Sequence, residues 1–268
     1  MKFKNIPTII RNIYYYKVKD NFEKIKSLFS NKGKGDEFDK IYKKYINNNK
    51  PIIFDVGAYN GKSIVRFKKI LCQSEIHSFE PSSENYQLLS SNFGNEPSIT
   101  LNNVAVGPEK GKIELKVNAK KDTSSVFSID QNHKWTERRC AETGVSIDKF
   151  LIETEIVNVV TLDEYIQNKN IERIDILKID TQGFELGVLN GSQESIKAGI
   201  FDFIEIEILL QGIYTGAEKN ILDIEKLLIP NDYKLITISS KFNLDITKTI
   251  CFDAVYVKKS IYDKILTT

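Results

Sequence analysis

The 268-residue sequence predicts an α/β fold: a mainly parallel, doubly wound sheet with an antiparallel closing strand, preceded by an N-terminal helical appendage. Three observations predict it. From residue 52 onward, short apolar runs alternate with segments of helical period, the rhythm of strand-helix-strand units. The last two apolar runs, Tyr233–Ile238 and Phe252–Val257, have little between them and read as a closing antiparallel hairpin. Length, 41% hydrophobic content and 28% charge suit one large domain over residues 49–268 with a basic helical region over 1–48.

The elements follow in order. Ile9, Ile10, Ile13, Tyr14, Val18, Phe22, Ile25, Leu28 and Phe29 recur at helical spacing, and Asn31–Gly35 reads as a linker. Phe38–Tyr45 is a short helix, Ile52–Val56 the first strand, and Ser63 to about Leu71 the helix after it. Glu75–Phe79 is the second strand, Ser83–Phe93 a helix with Ser82 or Ser83 as N-cap, and Ile99–Val106 the third strand. Lys112–Val117 alternates as an antiparallel hairpin arm, and residues 119–152 break the rhythm as an insertion. Strands at Ile174–Ile179 and Phe203–Ile208 and helices at Phe184–Leu189 and Ala217–Leu228 complete the alternation.

No apolar run approaches the ~20 residues that cross a bilayer, and Met1–Asn5 lacks signal-peptide features, so a cytoplasmic location is expected. Cys72, Cys140 and Cys251 are odd in number and far apart, which argues against a disulfide framework or thiolate zinc site; mostly buried, reduced thiols are expected. Charge is uneven: residues 1–50 hold 13 Lys/Arg against 5 Asp/Glu, the remainder 25 against 31. Residues 1–30 therefore fit a basic amphipathic helix, lying on the inner face of the membrane or a lipid-linked substrate, or packing on the main domain or a second subunit of a homodimer. Nucleic acid is not an expected partner, because the larger part of the chain is acidic.

Two segments carry the first chemical signal. Pro51-Ile-Ile-Phe-Asp-Val-Gly-Ala-Tyr-Asn-Gly-Lys-Ser63 is a buried strand ending on Asp55 and breaking into a turn with Gly57 and Gly61. Ligands of such sheets sit beyond the carboxyl ends of the strands. In His77-Ser-Phe-Glu-Pro81, Glu80 ends the second strand 25 residues after Asp55, where a carboxylate can accept from two ribose hydroxyls. The spacing Gly-x-x-x-Gly is not the Gly-x-Gly-x-x-Gly fingerprint, which argues against a nucleotide-sugar or NAD-dependent oxidoreductase.

Thr161-Leu-Asp-Glu-Tyr165, Ile174-Asp-Ile-Leu-Lys-Ile-Asp-Thr-Gln-Gly-Phe-Glu185 and Val188-Leu-Asn-Gly191 form a third group. With the Asp55–Gly61 turn, Phe79-Glu80-Pro81, Asn103–Gly107 and Ser124-Ser125, they make the sequence from about Pro51 to Ile238 resemble the FkbM family of S-adenosylmethionine-dependent methyltransferases. The resemblance implies a Rossmann-like class I methyltransferase fold and methyl transfer to oxygen on sugars, glycans, lipids or polyketide-type products. It implies that Asp55, Gly57, Ala58, Asn60, Gly61 and Ser63 surround the methionine end of the cofactor. Glu80 and Pro81 would lie at its ribose, and Asn103 and Ala105 at its adenine. Lys178, Asp180 and Glu207 become the catalytic candidates, with Glu185 and Tyr214 beside the acceptor. Gln182 stands where many members have Glu, which argues against a general base at that position.

A neutral hydroxyl is a weak nucleophile, and two routes to activate it are open. A carboxylate, Asp180 or Glu207, takes the proton, or the two acids hold a Mg²⁺ that lowers the hydroxyl pKa. His133 is a further candidate base. The insertion 119–152 would hold the small-molecule or glycan acceptor, with Ser125, His133, Trp135 and Arg138 in contact: an indole can stack on a sugar ring and an arginine can grip phosphate. A methyltransferase-like domain retained for binding is the non-enzymatic alternative.

Overall fold

The computed structural model describes residues 36–217, 221–239 and 251–267, so the expected basic helix of residues 1–30 lies outside the described residues. The chain runs α1 (Asp36–Tyr45), β1 (Ile52–Val56), α2 (Lys62–Ile70), β2 (Glu75–Phe79), α3 (Ser83–Phe93) and β3 (Ile99–Asn102). It continues through β4 (Ala105–Val106), β5 (Gly111–Asn118), β6 (Ser128–Ile129), α4 (Lys134–Thr143), β7 (Leu151–Val160) and α5 (Leu162–Lys169). Then come β8 (Ile174–Ile179), α6 (Glu185–Asn190), α7 (Gln193–Lys197), β9 (Phe201–Leu209) and β10 (Tyr214–Thr215). Last are α8 (Ile221–Leu228), β11 (Tyr233–Ile238), β12 (Cys251–Lys258) and α9 (Lys259–Thr267).

The main sheet has seven strands in the order β11-β12-β9-β8-β1-β2-β3. All neighbours from β9 to β3 pair parallel, and β12 runs antiparallel between β9 and β11, as the closing hairpin required. The order reverses at β1, which places a ligand crevice beyond the carboxyl ends of β1, β2 and β8. One buried cluster joins Phe54, Phe79, Leu177, Val188, Ile204 and Leu228 on one face of the sheet. A second joins Phe38, Tyr42, Ile64, Phe67, Leu89 and Ile261 on the other. Helices thus cover both faces, which is why β9 reads as nine consecutive buried residues.

Several expectations need correction. The strand expected over Ile99–Val106 is two strands: β3 ends at Asn102, and β4 leaves to join a three-stranded sheet in the order β4-β7-β5. The break falls where Asn103 Nδ2 donates to the carbonyls of Glu80 and Pro81, at 2.9 and 3.1 Å, drawing the chain toward the end of β2. The hairpin arm at Lys112–Val117 is β5, but its antiparallel partner is β7, far along the chain and not anticipated. Residues 119–150 are therefore the excursion between two paired strands, and β6 within it pairs with β10. The C-terminal helix α9 was also not anticipated, and of the three thiols only Cys140 is buried, with Cys72 exposed and Cys251 half-buried.

Candidate cofactor and acceptor site

The turn after β1 closes upon itself. Gly57 N and Ala58 N donate to Phe79 O at 3.0 and 3.2 Å, Gly61 N to Ala58 O at 2.9 Å, and Lys62 N to Asn60 Oδ1 at 3.3 Å. Gly57 and Gly61 hold φ of 85° and 81°, conformations costly to residues with a Cβ. A side chain at 61 would also meet the Phe93 ring. Asp55 lies fully buried beneath this turn, where Ser63 Oγ donates to Oδ2 and Lys178 Nζ stands 3.6 Å from Oδ1. Burial pushes its pKa up, opposed by Lys178 and Ser63. Asp55 and Ser63 thus support the turn from below.

Glu80 follows β2 directly and is almost completely buried. Its Oε2 accepts from Tyr59 N at 2.8 Å, and its Oε1 from Ser82 N at 3.0 Å and Asn85 Nδ2 at 3.3 Å. Burial, only partly offset by these donors, pushes its pKa up to about 7. The expected N-cap is Ser82 by position, yet its hydroxyl makes no cap bond. The amide of Ser83 is taken instead by Glu155 Oε2 at 3.0 Å, which fastens β7 to the start of α3.

A cavity opens beyond these strand ends. Gly57 and Tyr59 line it from the first turn, Phe79, Glu80 and Pro81 from the second strand, and Val104 to Val106 from the third side. Asp180, Thr181, Gln182 and Phe184 close it below, and Lys121, Asp122 and Ser124 to Val126 pass over it as a strap. An apolar slot with one buried carboxylate at its edge fits a nucleoside, because the rings need desolvated contact and the ribose hydroxyls need an acceptor.

Of the residues named from sequence, the structure brings Gly57, Glu80, Pro81, Ala105, Ser125 and Asp180 to this cavity. Ala58, Asn60 and Gly61 shape the turn beside it, and Asn103 braces the end of β2. Glu185 accepts from Thr181 N, Thr181 Oγ1 and Gly183 N at 2.9–3.1 Å, so it staples the 180–184 loop. Lys178, behind Asp180, is 3.4 Å from its Oδ2. Burial would lower the Lys178 pKa, but Asp180 and Asp55 outweigh it and hold it above the ordinary lysine value, so Lys178 remains a cation.

Gln182 is the residue that sequence reasoning undervalued. It holds φ of 53°, and its Nε2 donates to Asp180 Oδ1 at 2.8 Å and to Glu207 Oε2 at 2.9 Å. Tyr214 Oη donates to Gln182 Oε1 at 2.9 Å and lies 3.0 Å from Thr123 O, while Ser125 Oγ donates to Gln182 O at 2.7 Å. Glu207 and Tyr214 are thereby tied to the cavity through Gln182 and the strap. Tyr59, Lys121 and Asp122 were not named as lining residues, although Tyr59 lies within the first turn motif, Asp122 opens the Asp122–Ser125 segment of the insertion and Lys121 precedes it.

Of the remaining acceptor candidates, Trp135 packs beside Tyr214 and the others lie on or near α4. His133 caps α4, its Nδ1 accepting from Trp135 N at 3.1 Å and its Nε2 facing Gln211 Oε1 at 3.1 Å. Trp135 meets Tyr214 edge-on at 6.3 Å, and Arg139 lies 4.8 Å over the indole. Arg138 is exposed on α4, 3.5 Å from Glu142. Among the described residues, no group of three His, Cys, Asp or Glu could hold a metal. The Asp180 and Glu207 pair is bridged instead by an amide, which does not fit the Mg²⁺ route.

Sheet order, crevice and buried strand-end carboxylate together define a Rossmann-like domain of the class I methyltransferase type. Residues 55–235 match the Methyltransferase FkbM domain, and the chain belongs to that family of S-adenosylmethionine-dependent methyltransferases. It is 23% identical over 168 residues to the 2-O-methyltransferase NoeI of Sinorhizobium fredii, covering 62% of this chain and 66% of that protein. The chain thus spans just under two thirds of the length of that relative. Among solved structures, an rRNA methylase from Streptococcus thermophilus superposes with a TM-score of 0.44 at 12% identity, over 83% of this chain and 94% of that one. Aeropyrum pernix fibrillarin with natively bound S-adenosyl-L-methionine superposes with a TM-score of 0.39 at 11% identity, over 80% and 68%.

Proposed function

We propose that this chain transfers a methyl group from S-adenosylmethionine to an oxygen, a sugar hydroxyl of a bacterial surface glycan, nucleotide sugar or glycosylated metabolite. The observation that carries the reading is one cavity lined by Glu80, the Gly57 turn and Asp180, which follow the adjacent strands β2, β1 and β8. The name of the 2-O-methyltransferase relative favours oxygen as the acceptor atom. In this reading Glu80 accepts from the ribose hydroxyls, and the apolar side chains of Phe79, Val104 and Val106 that line the cavity would shield the base from water. Bound S-adenosylmethionine would supply an already activated methyl sulfonium. What remains for the protein is to orient the alcohol and take its proton. Asp180 faces the cavity with its carboxylate about one-third exposed, and so is the general base in this reading; Lys178 behind it stabilises the ionised form.

Isothermal titration with S-adenosylmethionine, S-adenosylhomocysteine and NAD(H) tests the donor. Binding of NAD(H) alone would overturn the reading. Incubating the protein and methyl-labelled S-adenosylmethionine with carbohydrate fractions and nucleotide sugars tests the acceptor. Label recovered in a sugar methyl ether is expected, and label only in protein or nucleic acid would exclude a sugar acceptor.

A further inference from the structure

The geometry points to Gln182 as a positioning residue whose carboxamide clamps Asp180 to Glu207, in the place where a divalent cation would otherwise join two such carboxylates. This inference rests on the methyltransferase reading of the cavity but is tested separately from it. An amide nitrogen offers two protons and an amide oxygen only lone pairs. With Nε2 at 2.8 Å from Asp180 and 2.9 Å from Glu207, each proton goes to one carboxylate. The opposite amide orientation would aim an oxygen at two acceptors, so the carboxylates themselves fix which way Gln182 points. Tyr214 then completes the clamp from the other side by donating to Oε1, and its proximity to Thr123 O links the clamp to the strap. The backbone supports the same arrangement. Gln182 sits at a left-handed φ of 53°, a conformation disfavoured for a side chain of this size, while Ser125 Oγ holds its carbonyl and Glu185 holds the amide of Gly183. Several contacts therefore converge to keep a neutral donor between two acids.

The consequence is a chemical substitution that can be reversed. A carboxylate at position 182 would face Asp180 and Glu207 and create three oxygen-bearing acids at one point, the ligand set suited to a hard divalent cation. Manganese titration followed by electron paramagnetic resonance, on the full chain, tests this directly. Gln182→Glu is expected to bind Mn²⁺ at least tenfold more tightly than the unaltered protein, and the gain is expected to vanish in Gln182→Glu combined with Asp180→Asn. Equal Mn²⁺ binding by the unaltered protein and Gln182→Glu would overturn the inference. Should Gln182→Glu not fold, Gln182→Met removes the donor at similar size. Millimolar Mg²⁺ is expected to raise the melting temperature of Gln182→Met but not of the unaltered protein; equal response would also overturn it. S-adenosylhomocysteine titration of the unaltered protein, with and without EDTA, separates the two readings. Absence of binding in both conditions strikes the methyltransferase reading, whereas binding that requires the metal strikes the clamp.

Discussion

The turn at Gly57 passes so close to Asp180 that a Cβ on residue 57 would stand 1.9 Å from the Asp180 carbonyl oxygen. The two strand ends that frame the cavity are therefore in mutual backbone contact, and their separation is set by the missing side chain. Gly57→Ala must open that contact and also adopt a left-handed φ. Overpacking and backbone strain together predict a loss of about 3 kcal/mol in urea unfolding, with loss of S-adenosylhomocysteine binding. Unaltered binding would show that the spacing between β1 and β8 does not shape the pocket.

Glu80 gives a pH signature. Its pKa of about 7 in the folded protein exceeds the ordinary glutamate value of 4.5, so the folded state holds the proton more tightly between those values. Its contribution therefore favours folding at low pH and is lost as pH rises through this window, the reverse of a salt-bridged carboxylate. Ribose hydroxyls favour the ionised form, so S-adenosylhomocysteine affinity should fall as pH decreases through about 7 and level off near the affinity of the neutral side chain. Glu80→Gln should weaken binding roughly tenfold at pH 8, as expected for one lost charged acceptor, and flatten the pH dependence in calorimetric titrations from pH 5.5 to 8.

Lys178 balances a fully buried Asp55 and a partly exposed Asp180. Lys178→Met leaves the buried charge without its cation and is expected to cost about 3–5 kcal/mol in urea unfolding. The double variant Asp55→Asn, Lys178→Met should recover part of that loss, because the uncompensated charge is gone. If Lys178→Met alone is as stable as the unaltered protein, the ion pair has no structural weight.

Tyr214 joins the strap to the floor of the cavity through Thr123 and Gln182. Tyr214→Phe keeps the ring and removes the hydroxyl, which predicts a loss of roughly 1–2 kcal/mol by calorimetry. Release of S-adenosylhomocysteine should become several-fold faster in stopped-flow measurements, since the strap loses an anchor. An unchanged release rate would mean that the strap does not gate the cofactor.

The legible parts of this protein are those where local pattern and tertiary role coincide. Apolar runs ending on Asp55, Glu80 and Asp180 announce central parallel strands, because both faces of such strands are buried and only their ends meet a ligand. β7 escaped notice because Glu153 and Glu155 interrupt its apolar face and its partner β5 lies a long excursion away. The interior alternation survives only at Val157 and Val159. Helix α9 did carry a local signal, Ile261, Tyr262 and Ile265, all packed on the second cluster. For Gln182, the identity was visible but its left-handed backbone and two carboxylate partners were not: Asp180 shares its turn, whose conformation the sequence does not state, and Glu207 comes from the distant β9. Asp55 stood out at the end of its strand, but its full burial and its contacts with Ser63 and Lys178 could not be read from the sequence.

The excursion between β5 and β7 enters and leaves through one antiparallel ladder that stands apart from the seven-stranded sheet. Its beginning and end are thus brought side by side, so its length and content can vary without changing the register of any central strand. Such a segment behaves as an exchangeable cassette. Swapping residues 130–150 for the corresponding part of a relative, with the strap residues 121–126 kept because they line the donor pocket, is a direct test of whether the outer part of the excursion chooses the acceptor.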